Sequence, residues 1–317
     1  MKVLVTGGAG YIGSCVVEYL VEKGHTPVVF DLFFWGDEGI KDLKDKVDIV
    51  EGDVRDARDV VKALKGVDAV IHLAGIVGEP SCNKNEDAHF TTNVEATRIL
   101  VDCCTNPQRE LVKDFLFASS CSVYGNVNGM YEEVRENTPT NPLSSYAEAK
   151  LASENIIFDA AKKNPHFHPT VLRLTTVFGL SKKPRLDLVT NMFAYQAFKS
   201  GKITIFGGGE QYRSLVHVRD IARAFVEVLD APRFTRSGKI FHVGEEKNNK
   251  TVKEIAELVK KRLPSIEIEF KKSEKTDRRD YRINCTRLKN IIGWKAKYSV
   301  EDGINELVDK FEDNPKG

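Results

Sequence analysis

The chain has 317 residues, with 47 Lys and Arg against 46 Asp and Glu and a formal net charge of +1. That balance gives no overall attraction to nucleic acid or to an anionic membrane surface. With 41% hydrophobic and 29% charged residues, the composition is that of a soluble globular protein. The length allows one large or two small domains, with a core that needs no disulfides. No apolar run approaches the ~20 residues required to span a bilayer. The start, MKVLVTGGAG, lacks the long apolar core and cleavage site of a signal peptide. Six cysteines without a CxxC pair point to reduced thiols in the cytoplasm, and no metal is expected.

Lys2–Thr6 is a short apolar run stopped by glycines, which predicts a buried strand. Tyr11–Lys23 has the helical period and stops at Gly24. Strands are predicted at Pro27–Asp31, Val47–Glu51, Ala69–Leu73, Asp114–Ala118 and Thr170–Leu174, and helices at Ala57–Lys65, Thr92–Cys104 and Ser145–Lys162. This alternation means right-handed βαβ units and a parallel sheet. From about Gly179 the pattern becomes irregular. Val218–Leu229 reads as a helix and Lys239–Val243 as a strand, both able to return to the first sheet, and Thr251–Arg262 and Val300–Phe311 as helices. The basic residues between Lys247 and Lys297 read mainly as a solvated face.

The turn Thr6-Gly7-Gly8-Ala9-Gly10-Tyr11-Ile12-Gly13 contains GxGxxG between a strand and a helix. Without side chains the backbone turns tightly and approaches a pyrophosphate, which meets the amides and dipole of the helix N-terminus. Asp31 ends the second strand, where a carboxylate accepts from both ribose hydroxyls and repels a 2′-phosphate. The following Leu32-Phe33-Phe34-Trp35 offers no cation for that phosphate, so the expected cofactor is NAD. Phe33, Phe34 and Trp35 either line the adenine pocket or pack. Asp53 and Val54, just after the third strand, fall at the adenine edge.

Tyr146-Ala147-Glu148-Ala149-Lys150 is YxxxK at the start of a helix, and positions i and i+4 share a face. A tyrosine of pKa ~10 must drop ~3 units, or ~4 kcal/mol, to act as a base near neutrality. A unit charge at ~6 Å supplies ~2.8 kcal/mol at an effective dielectric of ~20. Upstream, Ala118-Ser119-Ser120-Cys121-Ser122-Val123-Tyr124-Gly125 follows a strand, at the sheet end where ligands bind. A serine hydroxyl there can bond a substrate oxygen and the phenol.

Together these motifs, with GDVRD, HLAG, TTNVEATRIL, LRLTTVFG and SLVHVRDIARA, resemble the extended short-chain dehydrogenase/reductase family, and within it the NAD-dependent nucleotide-sugar epimerases and dehydratases. The resemblance implies an α/β fold: a Rossmann-type doubly wound parallel sheet over residues 1–179, with 217–243 returning to it, and a smaller α/β domain over 180–317 for a nucleotide-diphospho-sugar. It implies Ser120, Tyr146 and Lys150 as catalytic residues. It places NAD against Gly7, Gly10, Tyr11, Ile12, Gly13, Asp31, Asp53, Val54, Leu73, Ala74, Gly75, Asn93, Tyr146 and Lys150. It places the substrate against Ser120, Thr176, Asn191, Phe206, Arg213 and Arg279, with Arg278 the alternative to Arg279. The helices Thr92–Cys104 and Ser145–Lys162, through Val94, Ala96, Ile99, Leu100, Ala149, Ala152, Ile156 and Ile157, resemble the pair that forms a homodimer in this family.

Two departures narrow the expectation. Dehydratases of this family resemble Thr-Asp-Glu where this chain has Ser120-Cys121-Ser122, and the missing acid disfavours elimination of water. Thr176 stands where galactose epimerases commonly carry asparagine, and the segment Pro184–Asn191 and RRDY also resemble enzymes of unusual nucleotide sugars, heptoses among them. The resulting expectation is a nucleotide-sugar 4-epimerase that transiently oxidises C4 to a ketone and returns hydride to either face. The alternative is a 4-dehydrogenase or 4-ketoreductase that stops after one transfer; a non-catalytic NAD-binding regulator is the more distant one.

Overall fold

The computed structural model describes residues 1–78, 82, 84–109, 111–127, 133–272 and 282–314. Its centre is a parallel sheet of β1 (Lys2–Thr6), β2 (Thr26–Asp31), β3 (Asp48–Glu51), β4 (Ala69–His72), β5 (Asp114–Ser120), β6 (His168–Leu174) and, later in the chain, β11 (Lys239–Val243). The strand order is β11-β6-β5-β4-β1-β2-β3. The chain first runs outward from β1 to β3, then restarts at β4 on the other side of β1. The crevice beyond the carboxyl ends of β1 and β4 is therefore the switch point where doubly wound sheets bind ligands. β11 pairs with β6 from Lys239↔Thr170 to Val243↔Leu174, as the apolar run KIFHV predicts.

Both faces of the sheet are covered, so its strands are apolar throughout rather than alternating. On one face α1 (Tyr11–Glu22) and a later helix (Val218–Asp230) bury Val16, Val17, Leu20, Ile221 and Phe225 against β1 and β11. On the other, α2 (Ala57–Ala63), α4 (Ala96–Thr105) and α5 (Ser145–Lys163) cover Leu4, Phe115 and Phe117. Each such side chain contributes roughly 1.5–3 kcal/mol on burial. Before α4 lie α3 (Glu86–Phe90), capped by Asn85 through Ala88 N–H, and a π turn at Thr91–Glu95. The helix expected to begin at Thr92 thus starts earlier and carries a bulge where Asn93 sits.

The remainder forms a smaller lobe. β7 (Thr176–Phe178) pairs with β10 (Leu215–His217), β8 (Lys202–Phe206) with β13 (Glu267–Lys271), and β9 (Tyr212–Arg213) with β12 (Lys250–Thr251). α6 (Val189–Ser200) lies just before β8, α7 is the Val218–Asp230 helix above, α8 is Arg233–Arg236, and α9 (Val252–Arg262), α10 (Thr286–Ile292) and α11 (Val300–Asp313) follow. A separate apolar cluster of Phe178, Phe193, Ile203, Val259, Ile304 and Leu307 holds this lobe together. Among the described residues no helix is long and apolar enough to cross a membrane.

Candidate active site

The glycine turn closes on itself and on the neighbouring loop. Gly7 has φ +70°, and a Cβ there would stand 2.9 Å from the Ala74 backbone nitrogen. A Cβ on Gly13 would lie 2.1 Å from the Gly7 carbonyl oxygen. Gly10 caps α1 with no side-chain bond, and the first turn contains no acidic residue, so its amides face outward without a competing anion. These features fit a dinucleotide pyrophosphate. Asp31 Oδ2 accepts from Ala9 N–H at 3.0 Å and Oδ1 from Phe33 N–H at 2.9 Å. The carboxylate is thereby aimed at the turn and keeps lone pairs for ribose hydroxyls.

Several of the expected cofactor contacts make internal bonds of their own. Tyr11 donates its hydroxyl to the Gly179 carbonyl at 2.7 Å, tying the turn to the segment after β7. Asp53 takes the Arg55 guanidinium on both oxygens, at 2.9 and 2.5 Å, and Val54 is buried. Phe33 packs on the core, whereas Phe34 and Trp35 are 74% and 76% exposed and meet each other edge to face. Thr6 Oγ1 accepts from Leu73 and Ala74 N–H at 3.2 and 3.1 Å and gives its proton to His72 Nδ1 at 2.7 Å. His72 Nε2–H then reaches Thr97 at 3.0 Å. Burial pulls His72 down to about 3, with Lys150 adding to the effect, so it stays neutral. Asn93 spends its amide on the Ile76 backbone, accepting and donating at 2.8 Å. A Cβ on Gly75 would stand 2.8 Å from that amide oxygen. Leu73–Gly75 is thus a fixed shelf along the crevice.

Ser120 and Lys150 converge at the end of β5. Ser120 Oγ accepts from Ser122 N–H at 3.1 Å, which orients the hydroxyl and leaves its proton to donate. Ser144 caps α5 through Ala147 N–H, so Tyr146 and Lys150 fall in its first turns. Lys150 is 4% exposed; its Nζ donates to the Ala118 carbonyl at 2.8 Å and lies 5.8 Å from the Tyr146 ring centroid. Burial brings its pKa down to about 8, against the raising influence of Cys82 and Glu154. A mainly charged ammonium beside the ring favours a phenolate at Tyr146.

Sequence reasoning missed the support beneath this site. Glu154, one turn beyond Lys150, accepts from the Ser119 hydroxyl and takes Arg173 on both oxygens, at 2.9 and 2.6 Å. The spacing Lys150 to Glu154 is the same i, i+4 relation that marks Tyr146 and Lys150, so Glu154 was visible in the sequence. Arg173 was not, because it reaches the site across the sheet.

In the smaller lobe the expected substrate residues separate. Thr176 opens β7 and donates its N–H to the Ser214 carbonyl at 2.9 Å. Phe206 ends β8 and is 58% exposed. Arg213 lies on β9, its Nη1 donating to the Tyr212 carbonyl at 2.8 Å. Asn191 is fully buried, and its amide bonds the Gly179 N–H and the Arg185 carbonyl, both at 2.9 Å. It therefore shapes the 179–185 loop. Arg278 and Arg279 lie outside the described residues.

A doubly wound sheet with a glycine turn, a strand-ending aspartate and a lysine beside a tyrosine at the crevice defines a dinucleotide-dependent enzyme. The chain belongs to the NAD dependent epimerase/dehydratase family, whose model matches residues 3–244. It is 30% identical to a UDP-glucose 4-epimerase of Lactobacillus helveticus, over 100% of this chain and 99% of that protein. Among solved structures it resembles the UDP-glucose 4-epimerase of Thermotoga maritima with UDP-glucose, at TM-score 0.89 and 27% identity over 100% of both chains. It also resembles a UDP-glucuronic acid 4-epimerase of Bacillus cereus in complex with UDP-glucuronic acid and NAD, at TM-score 0.88 and 25% identity over 99% of both chains.

Proposed function

We propose that this protein is an NAD-dependent 4-epimerase of a nucleotide-diphospho-sugar, with a UDP-hexose as the first substrate to test. The observation that carries the reading is the buried Lys150 ammonium 5.8 Å from the Tyr146 ring, at the end of the strand that bears Ser120. Bound NAD supplies the reversible two-electron oxidation at C4. Tyr146 takes up the proton of the C4 hydroxyl and later returns it to the same oxygen. Lys150 holds the phenolate form available for that step, and Ser120 donates to the C4 oxygen. Gly7, Gly10, Gly13, Asp31 and the Leu73–Gly75 shelf hold the cofactor. Phe206 and Arg213 receive the nucleobase and a phosphate.

The loop after β5 favours epimerisation over dehydration. Ser120, Cys121 and Ser122 carry no acid, and Glu154 beneath them is committed to Arg173 and Ser119. The test incubates the enzyme and NAD in excess over substrate with UDP-glucose, UDP-galactose and UDP-glucuronic acid and follows product stereochemistry and the NADH band together. C4 inversion without NADH accumulation supports the reading. NADH stoichiometric with substrate indicates a 4-dehydrogenase, and binding without turnover of any nucleotide sugar indicates a regulator.

The working unit we propose is a cytoplasmic homodimer through α4 and α5. Val94, Ala96, Leu100, Ala149 and Ile157 are already buried in the protomer, so Ile99, Ala152 and Ile156, which are half-buried, are left for a partner. Light scattering at micromolar concentration should give twice the chain mass; a monomer mass defeats the dimer.

A further inference from the structure

Glu154 and Arg173 form an ion pair in which the side chains are 2% and 4% exposed. Two charges at such depth are held only by mutual attraction and further hydrogen bonds, and a pair of this kind is weak evidence for stability by itself. What distinguishes this pair is what it joins. Glu154 lies on α5, one turn after Lys150, and accepts from Ser119, the residue before Ser120. Arg173 lies opposite Ser119 in the β5–β6 register, and its carbonyl accepts from the Cys121 thiol at 3.4 Å. Arg173 Nη1 donates to the Tyr124 hydroxyl at 2.6 Å. Tyr124 in turn gives its proton to His242 Nε2 at 2.6 Å, and His242 Nδ1–H donates to the Asn284 carbonyl at 2.8 Å. One hydrogen-bonded chain therefore runs from the helix of Tyr146 and Lys150, under the loop of Ser120, to the segment after β13.

We propose that Glu154 is the positioning residue of this site: its carboxylate clamps the helix carrying Tyr146 and Lys150 to the strand carrying Ser120, and is the counter-charge for Lys150. This rests on the reading of those three residues given above. The groups facing Lys150 are His72 on β4, Cys82 after it, His89 on α3, and Tyr146 and Glu154 on its own helix. Burial holds His72 neutral and lowers His89, and Glu154 is the carboxylate of the set. Arg173 and Ser119 face Glu154, and Cys121 lies within its field.

The experiment follows the titration of Lys150 by NMR of the intact chain labelled at lysine Cε, with the signal assigned by its loss in Lys150→Met. Glu154→Gln keeps the size and removes the charge, and should lower the Lys150 midpoint by about one unit, the scale of a close ionic partner. Turnover of UDP-glucose should fall at least ~10-fold, with KM and NAD affinity changed less than ~3-fold. If Glu154→Gln does not fold, Glu154→Gln/Arg173→Met, which leaves no unpaired buried ion, should fold and show the same loss of turnover. A Lys150 midpoint equal to wild type in Glu154→Gln, or wild-type turnover in the double variant where only that folds, overturns the proposal and leaves the pair as internal packing. Tyr146→Phe separates the two claims. Full activity there refutes the base assignment, whereas an inactive Tyr146→Phe beside a normal Lys150 titration in Glu154→Gln refutes the clamp alone.

Discussion

Tyr146, Lys150 and Cys121 make opposite demands on substitution. Tyr146→Phe keeps the ring and removes the proton carrier, so kcat should fall at least ~100-fold with NAD affinity little changed. Cys121 is buried, its thiol pushed well above the usual range by desolvation, and no step uses it. Cys121→Ala should keep most turnover, and steady-state kinetics of the two variants give the order directly. Lys150 is different because the fold pays for its charge. Its folded pKa of about 8 lies below the ordinary 10.5, so the unfolded chain binds the extra proton between those values. Stability rises with pH through that window and carries the full penalty below pH 8, on the order of 3 kcal/mol. Lys150→Met removes the penalty and leaves the Ala118 carbonyl without its partner, an offset of about 1 kcal/mol. The variant should lose turnover yet melt a few degrees higher at pH 7; a lower melting temperature would contradict the burial argument.

At the scale of elements, the glycine turn and α1 form the most constrained junction. Gly13→Ala places a methyl group 2.1 Å from the Gly7 carbonyl, so either the turn or the helix must shift. NAD affinity should fall at least ~10-fold and stability by roughly 1–3 kcal/mol, measured by cofactor titration and denaturant unfolding. This junction was legible because glycines, a strand and a helical period coincide within a dozen residues. Helix α6 was not: Leu188 at its start makes no side-chain cap, so Val189–Ser200 carries no start signal and merges with the irregular segment after Gly179. The strands β8 and β13 also went unread, although Lys202–Phe206 and Glu267–Lys271 alternate polar and apolar residues. Asn85 with Glu86 and Asp87 did mark the true start of α3, and the π turn at Asn93 obscured it by shifting the period of the following helix. In the site, Tyr146 and Lys150 were readable from one helix face. The role of Asn191 was not, since its bonds to Gly179 and Arg185 depend on how the loop folds back.

The whole molecule is sensitive to acid through its buried histidines. His72 in β4 and His242 in β11 are both held down to about 3 by burial, below the ordinary 6.5. The unfolded chain therefore binds more protons between those values. The stability of the neutral rings is fully present above pH 6.5 and is lost as pH falls toward 3, on the order of 3 kcal/mol for each by pH 4. Thermal midpoints should decline steadily below pH 6.5, and a flat profile from pH 7 to 4 would contradict the buried neutral rings. The same sheet that buries them presents the crevice at the ends of β1, β4 and β5, where the proposed reaction takes place. That reaction oxidises and re-reduces one carbon without exchange with water. The most direct measurement uses UDP-glucose deuterated at C4, incubated with the enzyme and catalytic NAD in ordinary water and read by NMR. The account predicts UDP-galactose with deuterium retained at C4; deuterium lost to solvent, or inversion at another carbon, would contradict it.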